Sequence, residues 1–166
     1  MSVETKPKAV NTKKVSGRRE VHYNCVDELL ADAERLAEKG YRQLGNWSLG
    51  QIAKHLAFSM RTGLDGADYV PSWFVRFVAK NFLKKRMLSK PFSPGFKPST
   101  KITATSESPP IPDEEGLDAL REVMRRWKSE PGRLAHPFFG PLSDEEWDQI
   151  SLRHGELHMS FLVPIG

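Results

Sequence analysis

The sequence has a single cysteine, Cys25, among its 166 residues, so no disulfide can form within the chain. So little cysteine is typical of a protein from a reducing compartment. No stretch approaches the ~18 uninterrupted apolar residues of a membrane-spanning helix. The first twenty residues also lack the apolar segment of a secretory signal. We therefore expect a cytoplasmic protein without a membrane span.

Acidic residues are missing between Tyr69 and Ser106, where the chain has eight basic residues. These are Arg76, Lys80, Lys84, Lys85, Arg86, Lys90, Lys97 and Lys101. Such a segment can attract an anionic ligand, a phosphate or a membrane surface. A solvated face paired with acidic helices of the same fold is the simpler interpretation. Because no DNA- or RNA-binding motif accompanies the charge, we expect no specific nucleic-acid binding.

Residues 1–20 are polar, rich in lysine and threonine, and carry a net charge of +4. This composition predicts a disordered basic tail. The rest of the chain, residues 21–166, has the length of one domain that folds without disulfides or structural metals. Hydrophobic and charged fractions of 39% and 28% are those of an ordinary globular protein.

Five segments have helical periodicity, and several have start or stop signals. They are "NCVDELLADAERLAEKG", "WSLGQIAKHLAFSMRTG", "PSWFVRFVAKNFLKKRML", "DEEGLDALREVMRRWKSEPG" and "EEWDQISLRHGELHMSFL". Asn24 or Cys25 is a candidate N-cap of the first helix, and Gly40 a natural stop. Capping boxes that begin at Ser48 and Ser143 open the second and last helices. With no internal repeat or strand pair evident, the pattern predicts an all-α helical bundle.

The third helix and the segment after it combine apolar and basic residues. One of its faces has Phe74, Val75, Val78 and Phe82, and another has Arg76, Lys80 and Lys84. Trp73 and Phe74 beside the basic stripe could enter a membrane interface, although packing against the bundle is the simpler use. Residues 89–112 contain six prolines and little periodicity. A loop of this length often covers a site or is mobile.

Two histidines, His154 and His158, interrupt the apolar face of the last helix. At this spacing their Cβ atoms lie about 5–6 Å apart, so both imidazoles can reach one metal ion. His55 flanks the inner stripe of the second helix and can supply a third ligand. Three imidazoles leave a coordination position open for water or substrate, as in catalytic zinc sites. Two core histidines that hydrogen-bond to each other or to backbone carbonyls explain the spacing equally well.

Two familiar metal sites do not match this pattern. "HGELH" differs from the H-E-x-x-H helix of zinc proteases because Gly155 takes the place of the base, and Glu156 projects to another face. A ferritin-like di-iron site needs Glu-x-x-His pairs. No glutamate stands three residues before His55, His154 or His158.

The stretches "NWSLGQIAKHL" and "HPFFGPLSDEEWDQISLRHGELHMSFL" resemble the DinB/YfiT-like superfamily and, within it, the DUF1569 family. The resemblance covers the chain from about Arg18 onward. It implies an up-down-down-up four-helix bundle that holds a divalent metal, usually Zn²⁺ or Ni²⁺, with His55, His154 and His158. Characterised relatives include thiol-dependent S-transferases, in which the metal activates a low-molecular-weight thiol. Relatives often have a glutamine three residues after the last histidine, whereas this chain has Phe161.

These observations support three hypotheses, of which the last in rank is a protein that binds nucleic acid or lipid headgroups through its basic tail and segment 76–101. The first is a metal-dependent enzyme, such as a thiol S-transferase, acting on a small-molecule substrate. Candidate substrate-binding residues are Arg76 and Lys80, which can attract an anionic thiol, and His136, for which a role in stabilising its turn is the simpler interpretation. The second is a non-catalytic metal- or ligand-binding module. Bundles of this kind often form homodimers, but no face of the sequence announces an interface.

Overall fold

The computed structural model describes residues 9–95 and 110–166 and is mostly helical, with one small sheet. The α-helices are α1 (Val26–Lys39), α2 (Leu49–Asp65), α3 (Trp73–Val78), α4 (Lys84–Ser89), α5 (Asp113–Ser129) and α6 (Asp144–Met159). A π-helical segment, Ala79–Leu83, joins α3 to α4 without a break, and a 3-10 turn spans Thr12–Lys14. No helix among the described residues is long and apolar enough to cross a membrane.

The helix boundaries follow the capping signals of the sequence. Cys25 is the N-cap of α1, and Gly40 ends that helix with a φ of 84°, a region that favours glycine. Both predicted capping boxes are confirmed. The hydroxyls of Ser48 and Ser143 accept from the backbone N–H three residues on, and the side chain at that position accepts from the cap's own N–H.

The expectation of a fold without paired strands is wrong. Strands β1 (Tyr41–Gln43) and β2 (Leu162–Pro164) pair in antiparallel orientation, with Arg42 opposite Val163. Three-residue strands are too short to show an alternating pattern in the sequence. The pair fixes the chain after α6 to the turn that follows α1.

The core lies among the four long helices α1, α2, α5 and α6. Large apolar side chains from all four are almost fully buried. They include Leu29, Leu36, Leu49, Ile52, Leu56, Leu117, Leu120, Met124, Trp147 and Met159. Helices α2 and α5 approach so closely at Gly50 and Gly116 that a Cβ on Gly116 would lie 2.6 Å from the Gly50 Cα atom. The up-down-down-up topology implied by the resemblance stays a prediction.

The predicted disordered tail differs from the structure at its C-terminal end. The Arg19 guanidinium donates to both carboxylate oxygens of Asp32, and Arg18 donates to the Ser160 hydroxyl. Arg18 also lies over the Phe161 ring at 4.4 Å. These contacts attach residues 18–19 to the helices, so the folded unit includes them. Residues 1–8 of the predicted tail lie outside the described residues.

The expected packing of Trp73 and Phe74 against the bundle is also wrong. Ala79 is the only buried residue between Trp73 and Ser89. Trp73 is 77% exposed and Phe74 60% exposed, and Val75 and Phe82 on the same apolar face are exposed as well. Periodicity predicted the helix correctly but could not show whether another element covers its apolar side. Of the predicted loop at 89–112, residues 96–109 lie outside the described residues.

Candidate metal centre

Three imidazole rings converge where α2 packs against α6. His154 and His158 lie one turn apart on α6, and His55 comes from the buried face of α2. The ring centroids are 4.8–4.9 Å apart in all three pairs. The structure thus brings together the three predicted ligand residues. One candidate ligand atom from each ring lies within 4.8 Å of the other two.

The separations between the nitrogen atoms are compatible with a shared cation. The Nε2 atom of His154 lies 3.0 Å from Nε2 of His55 and 3.0 Å from Nε2 of His158. An imidazole nitrogen carries either one proton or one lone pair, so a regular hydrogen bond accounts for only one of the two contacts. On a tetrahedral zinc with Zn–N bonds of ~2.0–2.1 Å, two ligand nitrogens are ~3.3 Å apart. Each of the two 3.0 Å contacts would have to lengthen by ~0.3 Å to match that spacing.

Burial keeps the three imidazoles neutral, which is the protonation state a metal requires. It lowers the pKa of His55 to about 4. Burial also lowers the pKa of His154 and of His158 well below the usual value, and repulsion from neighbouring imidazoles lowers both further. At neutral pH each ring therefore has a lone pair to offer to a cation.

Aromatic rings enclose the cluster on two sides. Trp47 stacks on His158 with ring centroids 5.1 Å apart and also contacts His55 at 5.0 Å. Phe92, three residues beyond α4, stacks on His154 at 5.9 Å. Neither Trp47 nor Phe92 was predicted to lie against the three histidines. One feature of the sequence could have indicated the contact of Trp47. This residue directly precedes Ser48, the N-cap of the helix that carries His55.

His136 supports a turn. Its Nδ1 atom accepts from the backbone N–H groups of Phe138 and Phe139, at 3.2 and 3.3 Å. Its backbone forms two hydrogen bonds with Gly140, and its ring stacks on Phe139 with centroids 4.7 Å apart. The ring also lies 4.9 Å from Trp147 on α6. This environment agrees with the turn-stabilising interpretation, and burial lowers the pKa of His136 to about 4.

Arg76 and Lys80 are exposed on the helix that contains α3 and lie beside the turn that His136 stabilises. Both line an open surface groove whose other wall includes Phe138 and Phe139. None of the ring contacts of the three clustered histidines involves Arg76 or Lys80. The structure therefore places these two predicted residues near each other and on the protein surface. Their role in binding a substrate stays a prediction.

The carboxylate nearest in sequence to the paired histidines is engaged elsewhere. Glu156 is 2% exposed, and its Oε1 atom accepts from the backbone N–H of Tyr23 at 2.8 Å and from Arg153 at 2.8 Å. Oε1 also lies 3.2 Å from Nδ1 of His22. As predicted from its spacing, Glu156 does not join the cluster. Among the described residues, the candidate ligand set contains histidines alone.

The chain was compared with protein families, curated proteins and solved structures. The family described as "Protein of unknown function (DUF1569)" matches residues 15–165. No curated protein and no solved structure matches significantly. The match includes Arg18 and Arg19, in agreement with their contacts to the folded unit. The chain belongs to the DUF1569 family.

Proposed function

We propose that His55, His154 and His158 bind one divalent metal ion, with Zn²⁺ or Ni²⁺ the first candidates, and that the chain is a metal-dependent enzyme. The observation that carries the proposal is the convergence of three neutral imidazoles, one buried and two half-buried, whose two short Nε2–Nε2 contacts cannot both be regular two-centre hydrogen bonds. Imidazole nitrogen is a preferred ligand of both ions.

A bound ion would supply Lewis acidity, which lowers the pKa of a coordinated thiol or water and creates a nucleophile at neutral pH. The residues around it have separable roles. The three histidines hold the position, while Trp47 and Phe92 limit the freedom of two of the rings and exclude water from their faces. The resemblance to thiol-dependent S-transferases makes a low-molecular-weight thiol the first co-substrate to test. Attraction of an anionic thiol by Arg76 and Lys80 belongs to the same proposal.

A second candidate is a non-catalytic module that binds a metal or ligand. It is favoured by the absence of a carboxylate from the candidate ligand set among the described residues, which leaves no evident general base. Phe161 also favours it. The ring occupies the place where relatives often have glutamine, and it is buried beneath Arg18. It therefore offers no polar group to a substrate.

Metal analysis by inductively coupled plasma mass spectrometry tests the binding site. Untagged wild-type protein from metal-replete medium is compared with His158→Ala and with His22→Ala, which removes an exposed histidine. We expect about one equivalent of a divalent metal in the wild type and in His22→Ala. His158→Ala is expected to lose it, because two imidazoles hold an ion far more weakly than three.

Two outcomes separate the alternatives. If neither the wild type nor His22→Ala contains metal, and neither takes up Zn²⁺ or Ni²⁺ in equilibrium dialysis, the three rings are polar core residues and both candidates that need a metal fail. If metal binds, a screen of thiols with electrophilic substrates follows. Turnover that disappears in His154→Ala supports the enzyme, whereas a stoichiometric metal without turnover supports the binding module.

A further inference from the structure

Exposed apolar side chains are concentrated on one helical segment. Ten large hydrophobic residues are exposed in the described part of the chain, and seven of them lie between residues 70 and 83. These seven are Val70, Trp73, Phe74, Val75, Phe77, Phe82 and Leu83. Single exposed hydrophobic residues are normal, but a cluster of this kind usually marks an interaction site. We call the segment from Trp73 to Ser89, formed by α3, the π-helical residues and α4, the surface helix.

The surface helix and its flanks are also strongly basic. Between Tyr69 and Gly95 there are six basic residues and no acidic one. Lys84 pairs with Glu146 of α6 at 2.9 Å. Arg76, Lys80, Lys85, Arg86 and Lys90 make no ion pair with another described residue. Five cations are therefore available to an anionic partner beside the aromatic side chains.

We propose that the surface helix binds the surface of an anionic lipid membrane. A helix with large aromatic residues and adjacent Lys or Arg lies in the plane of a bilayer interface, with its apolar side chains among the acyl chains and its cations near the headgroups. Trp73, Phe74 and Phe82 supply the apolar contact, and they are 77%, 60% and 70% exposed. Lysine and arginine can cover apolar surface with their stems while the charged ends reach lipid phosphates. Each contributes ~1 kcal/mol near an anionic leaflet.

Other occupants fit these observations less well. A second copy of the chain, docked through the same face, would bring together two segments that lack acidic residues, and like charges would meet without compensation. A nucleic acid would neutralise Arg76 and Lys80 but would leave the aliphatic and phenyl groups of Val70 and Phe82 in water. A lipid surface satisfies the cations and the apolar groups together.

Flotation of the full chain with lipid vesicles tests the proposal. One set contains phosphatidylcholine alone, and the other contains in addition about 30% phosphatidylserine, an anionic lipid of the kind that attracts basic segments. We expect the wild type to bind the anionic vesicles at least about tenfold more strongly than the neutral ones. Added salt should weaken this binding, because it screens the contribution of the cations.

Two double variants separate the apolar and basic contributions. Trp73→Ser with Phe74→Ser removes apolar contact, and Arg76→Glu with Lys80→Glu reverses two charges. All four side chains are exposed, so we expect both proteins to fold. Each double variant should bind anionic vesicles about tenfold or more weakly than the wild type. Two matched controls change exposed residues outside the surface helix. Ile165→Ser removes an exposed apolar side chain, and Arg42→Glu reverses an exposed charge. Both should bind anionic vesicles within about twofold of the wild type.

Three results would overturn the proposal. The first is a wild type that does not float with anionic vesicles, or double variants that float as it does. The second is a concentration-dependent dimer in analytical ultracentrifugation that Trp73→Ser with Phe74→Ser dissociates, without vesicle binding, since a second copy would then cover the face. The third is DNA or RNA binding that the charge reversal abolishes and the serine substitutions leave intact, again without vesicle binding.

Discussion

Lowering the pH should reduce the stability of the protein, and part of that loss should come from protonation of His136. The variant His136→Asn should lack this part of the pH dependence. The Nδ1 atom of His136 accepts two backbone N–H groups and therefore has to remain unprotonated in the folded state. An asparagine Oδ1 can stand close to the same position as an acceptor and does not titrate. The variant therefore keeps the turn's hydrogen bonds and loses the proton-binding group together with the ring stacking.

The magnitude follows from the folded-state pKa of about 4, lowered by burial, and the ordinary histidine value of 6.5. Well above pH 6.5 the ring is neutral in both states and contributes no pH dependence. Below pH 6.5 the unfolded chain binds a proton that the folded chain does not, so stability falls until the pH reaches the folded pKa. Linkage gives a loss of ~2 kcal/mol at about pH 5 and an upper limit of ~3 kcal/mol.

The assay is urea unfolding of wild type and His136→Asn at about pH 7.5 and pH 5, with a chelator so that metal release does not contribute. At the higher pH the variant should be less stable by ~1 kcal/mol because it has lost the stacking on Phe139 and the tilted ring contact with Trp147. Lowering the pH should shift the difference in free energy of unfolding by ~2 kcal/mol in favour of the variant, because protonation of His136 destabilises only the wild type. The titration of His55 and His158 is common to both proteins, and the variant loses the small contribution of His136 to the lowered pKa of His154. An unchanged difference between the two pH values would refute the reasoning.

Three further predictions concern stability and use thermal or urea unfolding. Gly116→Ala should destabilise the protein by ~1–3 kcal/mol, because the added Cβ would meet the Gly50 backbone. A stabilisation of ~1 kcal/mol, as helix propensity alone predicts, would contradict the close approach of α2 and α5 at these glycines. Arg19→Met should lower the free energy of unfolding by ~3 kcal/mol, because it leaves the mostly buried Asp32 carboxylate without its main partner. An unchanged unfolding midpoint would show that Arg19 does not attach the N-terminal segment to α1. Ser143→Ala should cost ~1 kcal/mol through loss of the α6 capping box, and no change would mean that the cap is redundant.

Features that depend on nearby residues were predictable from the sequence. A capping box needs only the residue types at two positions three apart, so the starts of α2 and α6 were predicted correctly at Ser48 and Ser143. The helical spacing of four residues likewise fixed His154 and His158 on one face. His55 belongs to another helix, yet the apolar stripe beside it indicated which way it faces. The three candidate ligands therefore followed from periodicity, and the resemblance to a known family joined them into one site.

Features that depend on contacts between distant segments were not predictable in the same way. Strands β1 and β2 have three residues each, too few to show a strand pattern, and they lie far apart in the chain. Phe92 reaches His154 from an irregular segment without periodicity. Arg19 belongs to a stretch whose composition predicts disorder, and the buried carboxylate of Asp32 on α1 offsets that tendency. Burial alone would raise the pKa of Asp32, but hydrogen bonds from Arg19 and Tyr23 outweigh it and lower that pKa.

The surface helix shows why the amphipathic pattern was misassigned and why the exposure is informative. A helical apolar stripe indicates that something covers it, and the usual cover is the protein's own core. Here the segment is fixed to α6 by the Lys84–Glu146 ion pair, and Phe92 just beyond it packs on His154. A helix of this length is marginal in isolation. These attachments, together with the partly buried Met87 and Leu88 that pack against the core, maintain it although Ala79 is its one buried residue. Its exposed aromatic residues thus contribute little to folding, and a partner outside the core, such as an anionic membrane, gives them a physical role.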